Sequence, residues 1–354
     1  MVDLEQPFLV LAPMQEVTDL AFWRTLVRCG AGADLYVTEY FRVHVHSTLE
    51  KDILASVLEN PTGKPVLAQM IGQDVEELVR TAGQLLEHEE VAGVDLNLGC
   101  PAPIVCSKNA GGGLLRDLEK VDEIVGRLRE ACGERWFTVK TRVGFESEEE
   151  VEDLLEVLRR HEIDLLSVHG RTVKDRYQTP VHVAAVRRAV EVMGCPVVAN
   201  GNVVNVGTGL SYLEQTGAAG LMVGRGAIRS PWLFGQLRAV FAGEEPGEVR
   251  RRDLLEYVGV LWEETARLRE ELRQGFVEEK HVHKMKRYLN YVVQGLEEEL
   301  EFRVRRAKSR EELFGVLGEF LESDEVVPEL PPERSKLFCG FRELLGKREV
   351  KVSS

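Results

Sequence analysis

Gly93-Val94-Asp95-Leu96-Asn97-Leu98-Gly99-Cys100-Pro101 reads as a short buried strand running into a constrained turn. Gly93–Leu96 is the largely apolar stretch. The cysteine stands just past the strand end, flanked by Gly and Pro, which places it on the turn. Ten residues on, Ala110-Gly111-Gly112-Gly113 forms a flexible loop ahead of a helix-like segment. A thiol beside an amide at the mouth of a parallel sheet is a chemical position, although a free cysteine is more often a buried structural residue.

The same register recurs along the chain. Phe8–Pro13, Leu35–Glu39, Val66–Met70, Gly93–Asn97, Phe137–Arg142, Leu165–His169, Val197–Asn200 and Gly220–Gly224 are short apolar runs. Each is continuous rather than alternating, as parallel strands covered on both faces require. Between them lie helical spacings: Val75, Leu78, Val79, Ala82, Leu85 and Leu86; then Val121, Ile124, Val125 and Leu128; then Val151, Leu154, Leu155 and Leu158. Strand and helix alternating in this way over roughly 240 residues predict an α/β fold, a (β/α)8 TIM barrel. A doubly wound sheet is disfavoured. No early GxGxxG follows the first run, and polar signals follow many strands rather than one crevice.

In such a barrel the site lies at the C-terminal strand ends. Those ends carry Pro13-Met14, Glu39, Gln69, Asn97 with Cys100, Lys140 with Arg142, His169 with Arg171, Asn200-Gly201, and Gly224-Arg225. Lys140 and Arg142 are two apart on one strand, so both face the barrel interior. Two inward cations call for an anionic or strongly polar ligand. Gly201 and Gly224 follow the seventh and eighth runs, where barrels commonly hold phosphate. Arg225 would add a charge-assisted bond.

These residues resemble the tRNA-dihydrouridine synthase family, FMN-dependent enzymes that reduce uridine in RNA. The matching pieces are Leu11–Met14, Gln69–Gly72, Asp95–Pro101, Val139–Arg142, Val168–Thr172, Val198–Asn202 and Val223–Ala227, in family order over the first two thirds of the chain. The C-terminal third is similar to the family's helical RNA-recognition domain, with His283, Lys284, Lys286 and Arg287 on His281–Tyr291 as its basic residues. The resemblance implies that Pro13, Met14, Gln15, Gln69, Lys140, His169, Asn200, Gly201, Asn202, Gly224 and Arg225 hold FMN. Gln69 would pair with the polar edge of the ring. Lys140 would stabilise negative charge on the reduced ring. His169 would donate to a phosphate or ring oxygen. Cys100 would be the general acid, protonating uracil C5 from the face opposite the hydride, since a thiol ionises near enough to neutrality for efficient transfer. Asn97, Arg142 and Arg171 would hold a flipped-out uridine, and Lys284, Lys286 and Arg287 would contact the RNA. NADPH or NADH would supply electrons. Metal is not expected.

The chain departs from the family pattern in three places. Tyr177 remains after His169–Thr172, but Gln178–Val183 replaces the usual sequence beyond it. Asn202 stands where Asp is common. Gln15-Glu16 replaces Glu-Gly.

Each group also has a plainer reading. Lys140 and Arg142 could form an ion-pair network with Glu39. His169 could be a satisfied core histidine. Cys106 invites a disulfide or metal reading, but its spacing from Cys100 fits neither a redox pair nor a zinc site. Glu16, Asp19 and Arg24 look like the surface of a first helix capped by Thr18 or Asp19.

The 354-residue chain suits one barrel plus a smaller all-helical domain. Expected divisions are a barrel over 1–242, a linker over 243–248, a helical RNA-recognition domain over 249–322 and an extended tail over 323–354. Leu254, Leu255, Val258 and Leu261 form a single apolar face in the helical domain, and Lys347–Ser354 are expected to be mobile. No membrane span is visible, and six scattered cysteines point to a reducing cytoplasm. A monomer is expected. With 59 acidic against 45 basic residues, the charge is unlike that of a basic RNA binder, but net charge reports weakly on one face. The acidic runs Glu146–Glu156, Glu263–Glu271 and Glu297–Glu301 read as solvated faces. Arg303–Arg310 is either a second basic RNA contact or a helix face balanced by Glu.

Three functions fit: a tRNA-uridine reductase, a small-molecule FMN oxidoreductase of the dihydroorotate- or dihydropyrimidine-dehydrogenase type, and an RNA-binding module without catalysis. The helical third favours the first over the second. The Cys100, Lys140 and His169 set argues against the third.

Overall fold

Residues 6–332, 335 and 337–345 are described by the computed structural model. The apolar runs form strands β1 (Phe8–Leu11), β2 (Leu35–Val37), β3 (Phe41–Arg42), β4 (Val66–Ile71), β5 (Gly93–Leu98), β6 (Trp136–Arg142), β7 (Leu165–His169), β8 (Val197–Asn200) and β9 (Gly220–Val223). All pairings are parallel. β2 pairs with both β1 and β4, and β1 pairs with β9, so eight strands close into a barrel. The two-residue β3 is an addition on the upper end of β4, with Phe41 opposite Met70. The connecting helices behave as their spacing predicts. In Val75–Leu86, Asp74 caps the N-terminus by accepting the Glu77 N–H at 3.0 Å, and Val75, Leu78, Ala82 and Leu85 are buried.

Period two along the strands sorts the interior. Phe8, Val10, Leu35, Val37, Leu67, Leu165, Val198 and Met222 fill the lower barrel as one apolar cluster. Continuing upward by twos, the same inward rows reach Gln69, Asn97, Lys140, Arg142, His169 and Asn200. The barrel is therefore apolar at its floor and polar at its mouth. Gly93 is required by close strand approach: a Cβ there would lie 2.2 Å from the Trp136 carbonyl oxygen on β6.

Past Leu233–Phe241, the helices Arg251–Glu271, Glu278–Val292, Glu298–Arg306 and Arg310–Leu321 form the C-terminal helical domain. Leu254, Val258 and Leu261 are buried as expected. Arg24, read as a surface residue, is only 5% exposed, because helix Arg251–Glu271 covers it. It pairs there with Glu59 and, at 2.7 Å, with Glu271. Glu264, read as belonging to a solvated face, is likewise buried, with Arg28 at 2.9 Å. Tyr288 and Tyr257 hydroxyls donate to the Val17 and Ile228 carbonyls, both at 3.0 Å.

The segment after Leu321 folds back onto the barrel. Val326 bridges Arg250, Arg229 donates to the Pro328 carbonyl at 2.9 Å, and Phe338, Phe341 and Leu344 are buried. Arg342–Leu345 is a short helix. The expectation for Lys347–Ser354 lies outside the described residues.

Candidate active site

A cavity of about 470 Å³ opens at the C-terminal strand ends. It is lined by Pro13, Met14, Gln15, Asn97, Cys100, Lys140, Arg142, His169, Asn200, Gly201, Asn202, Gly224 and Arg225. Residues far apart in the sequence become spatial neighbours across adjacent strands here. Register sets Asn97 beside Lys140, and Arg142 beside His169, which lies beside Asn200.

Cys100 is half-buried on the turn after β5. Asn97 Oδ1 accepts the Cys100 backbone N–H at 2.9 Å. Cys106 donates its thiol to the Cys100 carbonyl at 3.4 Å, and both cysteines are free. The glycines at 111–113 are packed tightly here: a Cβ on Gly111 would sit 3.0 Å from Cys100 Cβ.

The cations form no close ion pairs. Among the described residues, Lys140, Arg142 and Arg225 form no ion pair, and Glu39 instead accepts the Val17 N–H at 2.9 Å. Arg142 donates to the carbonyls of Gly99 (2.8 Å), Thr172 (2.7 Å) and Arg176 (2.9 Å). Arg225 donates to the Leu337 carbonyl. Tyr177 lies between them, with Arg142 5.4 Å and Arg225 5.0 Å from its ring centroid. Burial, then the Arg142 charge, pushes Lys140 down to about 8. Burial and the surrounding cations hold His169 well below the usual imidazole range. Burial and Arg225 push Arg171 down to about 10. Mutually repelling cations held by neutral carbonyls leave positive charge for an anion to meet.

Two expected residues do not line the cavity. Gln69 is fully buried beneath it, donating to Asp95 at 2.7 Å and accepting from Asn97 at 2.8 Å. Arg171 is fully buried and donates to the Thr179 carbonyl at 2.6 Å, Asn202 Oδ1 at 2.8 Å and the Cys339 carbonyl at 3.1 Å. Lys284, Lys286 and Arg287 line a separate groove between the barrel and the helical domain. There Lys284 pairs with Asp19 at 2.5 Å, Lys286 donates to the Arg305 carbonyl at 3.0 Å, and Arg287 pairs with Glu16.

A family model described as "Dihydrouridine synthase (Dus)" matches residues 10–319. The chain belongs to the dihydrouridine synthase family. A probable tRNA-dihydrouridine synthase of Helicobacter pylori is 34% identical over 253 residues, 71% of this chain and 75% of the relative. A tRNA-dihydrouridine(16) synthase of Aquipseudomonas alcaligenes is 34% identical over 268 residues, 73% of this chain and 84% of the relative. A solved 2-naphthoyl-CoA reductase complex superimposes with a TM-score of 0.51 at 11% identity, over 67% of this chain and 50% of that one, a likeness of fold alone.

The site of this family member fits a flavin mononucleotide. His169 Nδ1, Arg171 Nη1 and Asn202 Nδ2 are buried without partners among the described residues. Asn202, neutral where the family often has Asp, leaves the Arg171 charge uncancelled. Gly201 has φ +113°, and a Cβ on Gly224 would lie 3.1 Å from Met14 Sδ, so both keep backbone open to the cavity. Sequence reasoning missed Tyr40, Tyr291 and Leu337, which also line it. Tyr40, one residue past the Glu39 strand end, could have been found from its position. Tyr291 and Leu337 come from distant elements and carry no local signal.

Proposed function

We propose that the protein reduces uridines of tRNA to 5,6-dihydrouridine, with FMN as redox group, Cys100 as proton donor and NADPH or NADH as electron source. The observation that carries this reading is the gathering of Cys100 with three cations that form no ion pair among the described residues, in one cavity of a dihydrouridine synthase family barrel. The names of the relatives support tRNA as substrate. That substrate puts the reaction in the cytoplasm, and no described helix is long and apolar enough to cross a membrane.

When bound, the flavin supplies hydride for the pyrimidine double bond. Lys140 would compensate negative charge on its ring. Arg225 and the backbone N–H groups at Gly201 and Gly224 would hold its phosphate. The Cys100 thiol would give its proton to uracil C5, and Asn97 holds the turn that aims it. Uracil must leave the RNA stack to reach this depth. Tyr177, 44% exposed beside Arg142, would form part of the wall that the uracil meets. Donor and RNA would use the cavity in turn.

The test follows both half-reactions by stopped flow. Purified protein should show flavin absorption bands that extraction identifies as FMN. Cys100→Ala should reduce its flavin with NADPH at nearly the parental rate, while uridine reduction falls roughly 10²-fold or more. Equal slowing of both would make Cys100 structural, and no slowing would assign the proton to another group.

A further inference from the structure

We propose that the C-terminal segment Leu337–Leu345 is the outer wall of the phosphate end of the cavity and restricts it to a flavin ending in a phosphate monoester. The inference rests on the flavin reading above. The segment lies beyond residues 10–319, which the family model matches.

Its contacts converge on the two arginines nearest that end. Arg225 donates to the Leu337 carbonyl, and Leu337 itself lines the cavity. Arg171 Nη2 donates to the Cys339 carbonyl at 3.1 Å, while its Nη1 stays buried and unpartnered. Backbone carbonyls occupy the outer edges of both guanidinium groups without neutralising them. The positive charge therefore remains for an anion on the inner side, beside Gly201 and Gly224.

The segment is seated at three places. Phe338 and Phe341, each 1% exposed, pack on Val204 in the loop after β8, the loop whose Gly201 and Asn202 face the cavity. Cys339 donates its thiol to the Tyr177 carbonyl at 2.8 Å, and Gly340 has φ +69° with its Cβ direction only 2.6 Å from Pro180 N. The Leu344 carbonyl accepts from Ser211 and, at 2.9 Å, from Gln215. The segment thus joins the Tyr177–Pro180 loop to the loop after β8. A phosphate monoester would end against this wall. A pyrophosphate continuing to a second nucleotide would run into Leu337, which lines the cavity. The wall would slow release of a bound flavin from this end of the cavity.

The experiment compares the full chain with two variants, one ending at Ser335 and one carrying Gly340→Ala, and with a control ending at Leu345. FMN and FAD affinities are measured by fluorescence titration, and FMN release by fluorescence recovery on dilution. FMN should leave both variants about tenfold faster or more, and FAD should gain on FMN by a similar factor, while the control behaves as the full chain. Thermal unfolding of each variant separates loss of fold from loss of the wall. If the folded variants keep the parental release rate and FMN-to-FAD ratio, the segment is packing only and the inference is overturned. If the full chain binds neither flavin, the flavin reading falls and this inference falls with it.

Discussion

Asn97 and Cys100 are joined through the backbone: Asn97 Oδ1 accepts the Cys100 N–H at 2.9 Å and the Gly99 N–H at 3.0 Å. Behind Asn97 the chain of bonds continues to Gln69 at 2.8 Å, from Gln69 to Asp95 at 2.7 Å, and from Asp95 to Thr138 at 2.6 Å. The thiol is therefore registered against the barrel interior by one amide. Asn97→Ala should misplace it and lower uridine reduction roughly 10- to 100-fold, the cost of an ångström-scale displacement. Flavin content and flavin reduction by NADPH should stay near parental values. Parallel loss of both half-reactions in stopped flow would show a wider collapse of the site.

Among the described residues Arg225 donates to the Leu337 carbonyl and has Tyr177 and Phe338 as aromatic neighbours. Arg225→Ala removes a charge-assisted bond to phosphate and should weaken FMN binding about tenfold to a hundredfold. Titration of the flavin-stripped protein measures it. Undiminished affinity would move the phosphate elsewhere.

Glu39 is buried, and burial, then the Asp19 charge, raises its carboxyl from 4.5 to about 8. Between those values the folded protein keeps the proton that the unfolded chain releases. Stability therefore falls as pH rises from about 4.5 to about 8, and the loss is complete above that. Glu39→Gln keeps an acceptor for the Val17 N–H and cannot ionise. Its melting temperature should match the parent near pH 4.5 and exceed it by an amount that grows toward pH 8, on the order of a few degrees. A constant difference across that range would place the titration on another group.

Changing Lys284, Lys286 and Arg287 together to Ala should weaken tRNA binding and flatten its dependence on salt, because fewer counter-ions are released. The groove also holds Glu16, Asp19 and Glu279, so phosphates would have to exchange with the existing carboxylate partners of Lys284 and Arg287. Binding isotherms at several salt concentrations decide the matter. An unchanged slope would remove this groove from the RNA interface. Flavin content is measured alongside, because Arg287 and Lys284 pair with Glu16 and Asp19, next to the Met14–Gln15 stretch that lines the cavity.

The strand rhythm and the polar strand ends were legible because both follow from period-two geometry, which is local. Lys140, Arg142 and His169 reach one cavity for that reason, and Cys100 reaches it on the turn that Asn97 holds. Gln69 and Arg171 sit at equally polar ends, yet hydrogen bonding turns them into supports, and only the tertiary partners Asp95 and Cys339 reveal it. The Arg303–Arg310 cluster was ambiguous in sequence. Arg303 pairs with Glu319 at 2.7 Å and Arg305 with Glu301 at 2.8 Å, so much of its charge is answered within the helical domain. The fold-back of residues 337–345 depends on contacts more than a hundred residues apart, as between Arg225 and Leu337, which no window of sequence contains.

The bond from Tyr288 to the Val17 carbonyl and the ion pairs of Arg24 have a practical consequence for dissecting this molecule. Val17 closes the loop that carries Met14 and Gln15 into the cavity, so the C-terminal helices brace the cofactor side as well as any RNA side. Amputating them to obtain a free-standing barrel would uncover Arg24 and loosen that loop together. Calorimetry of the intact chain should accordingly register a single melting event, barrel and helices surrendering their structure as one cooperative body.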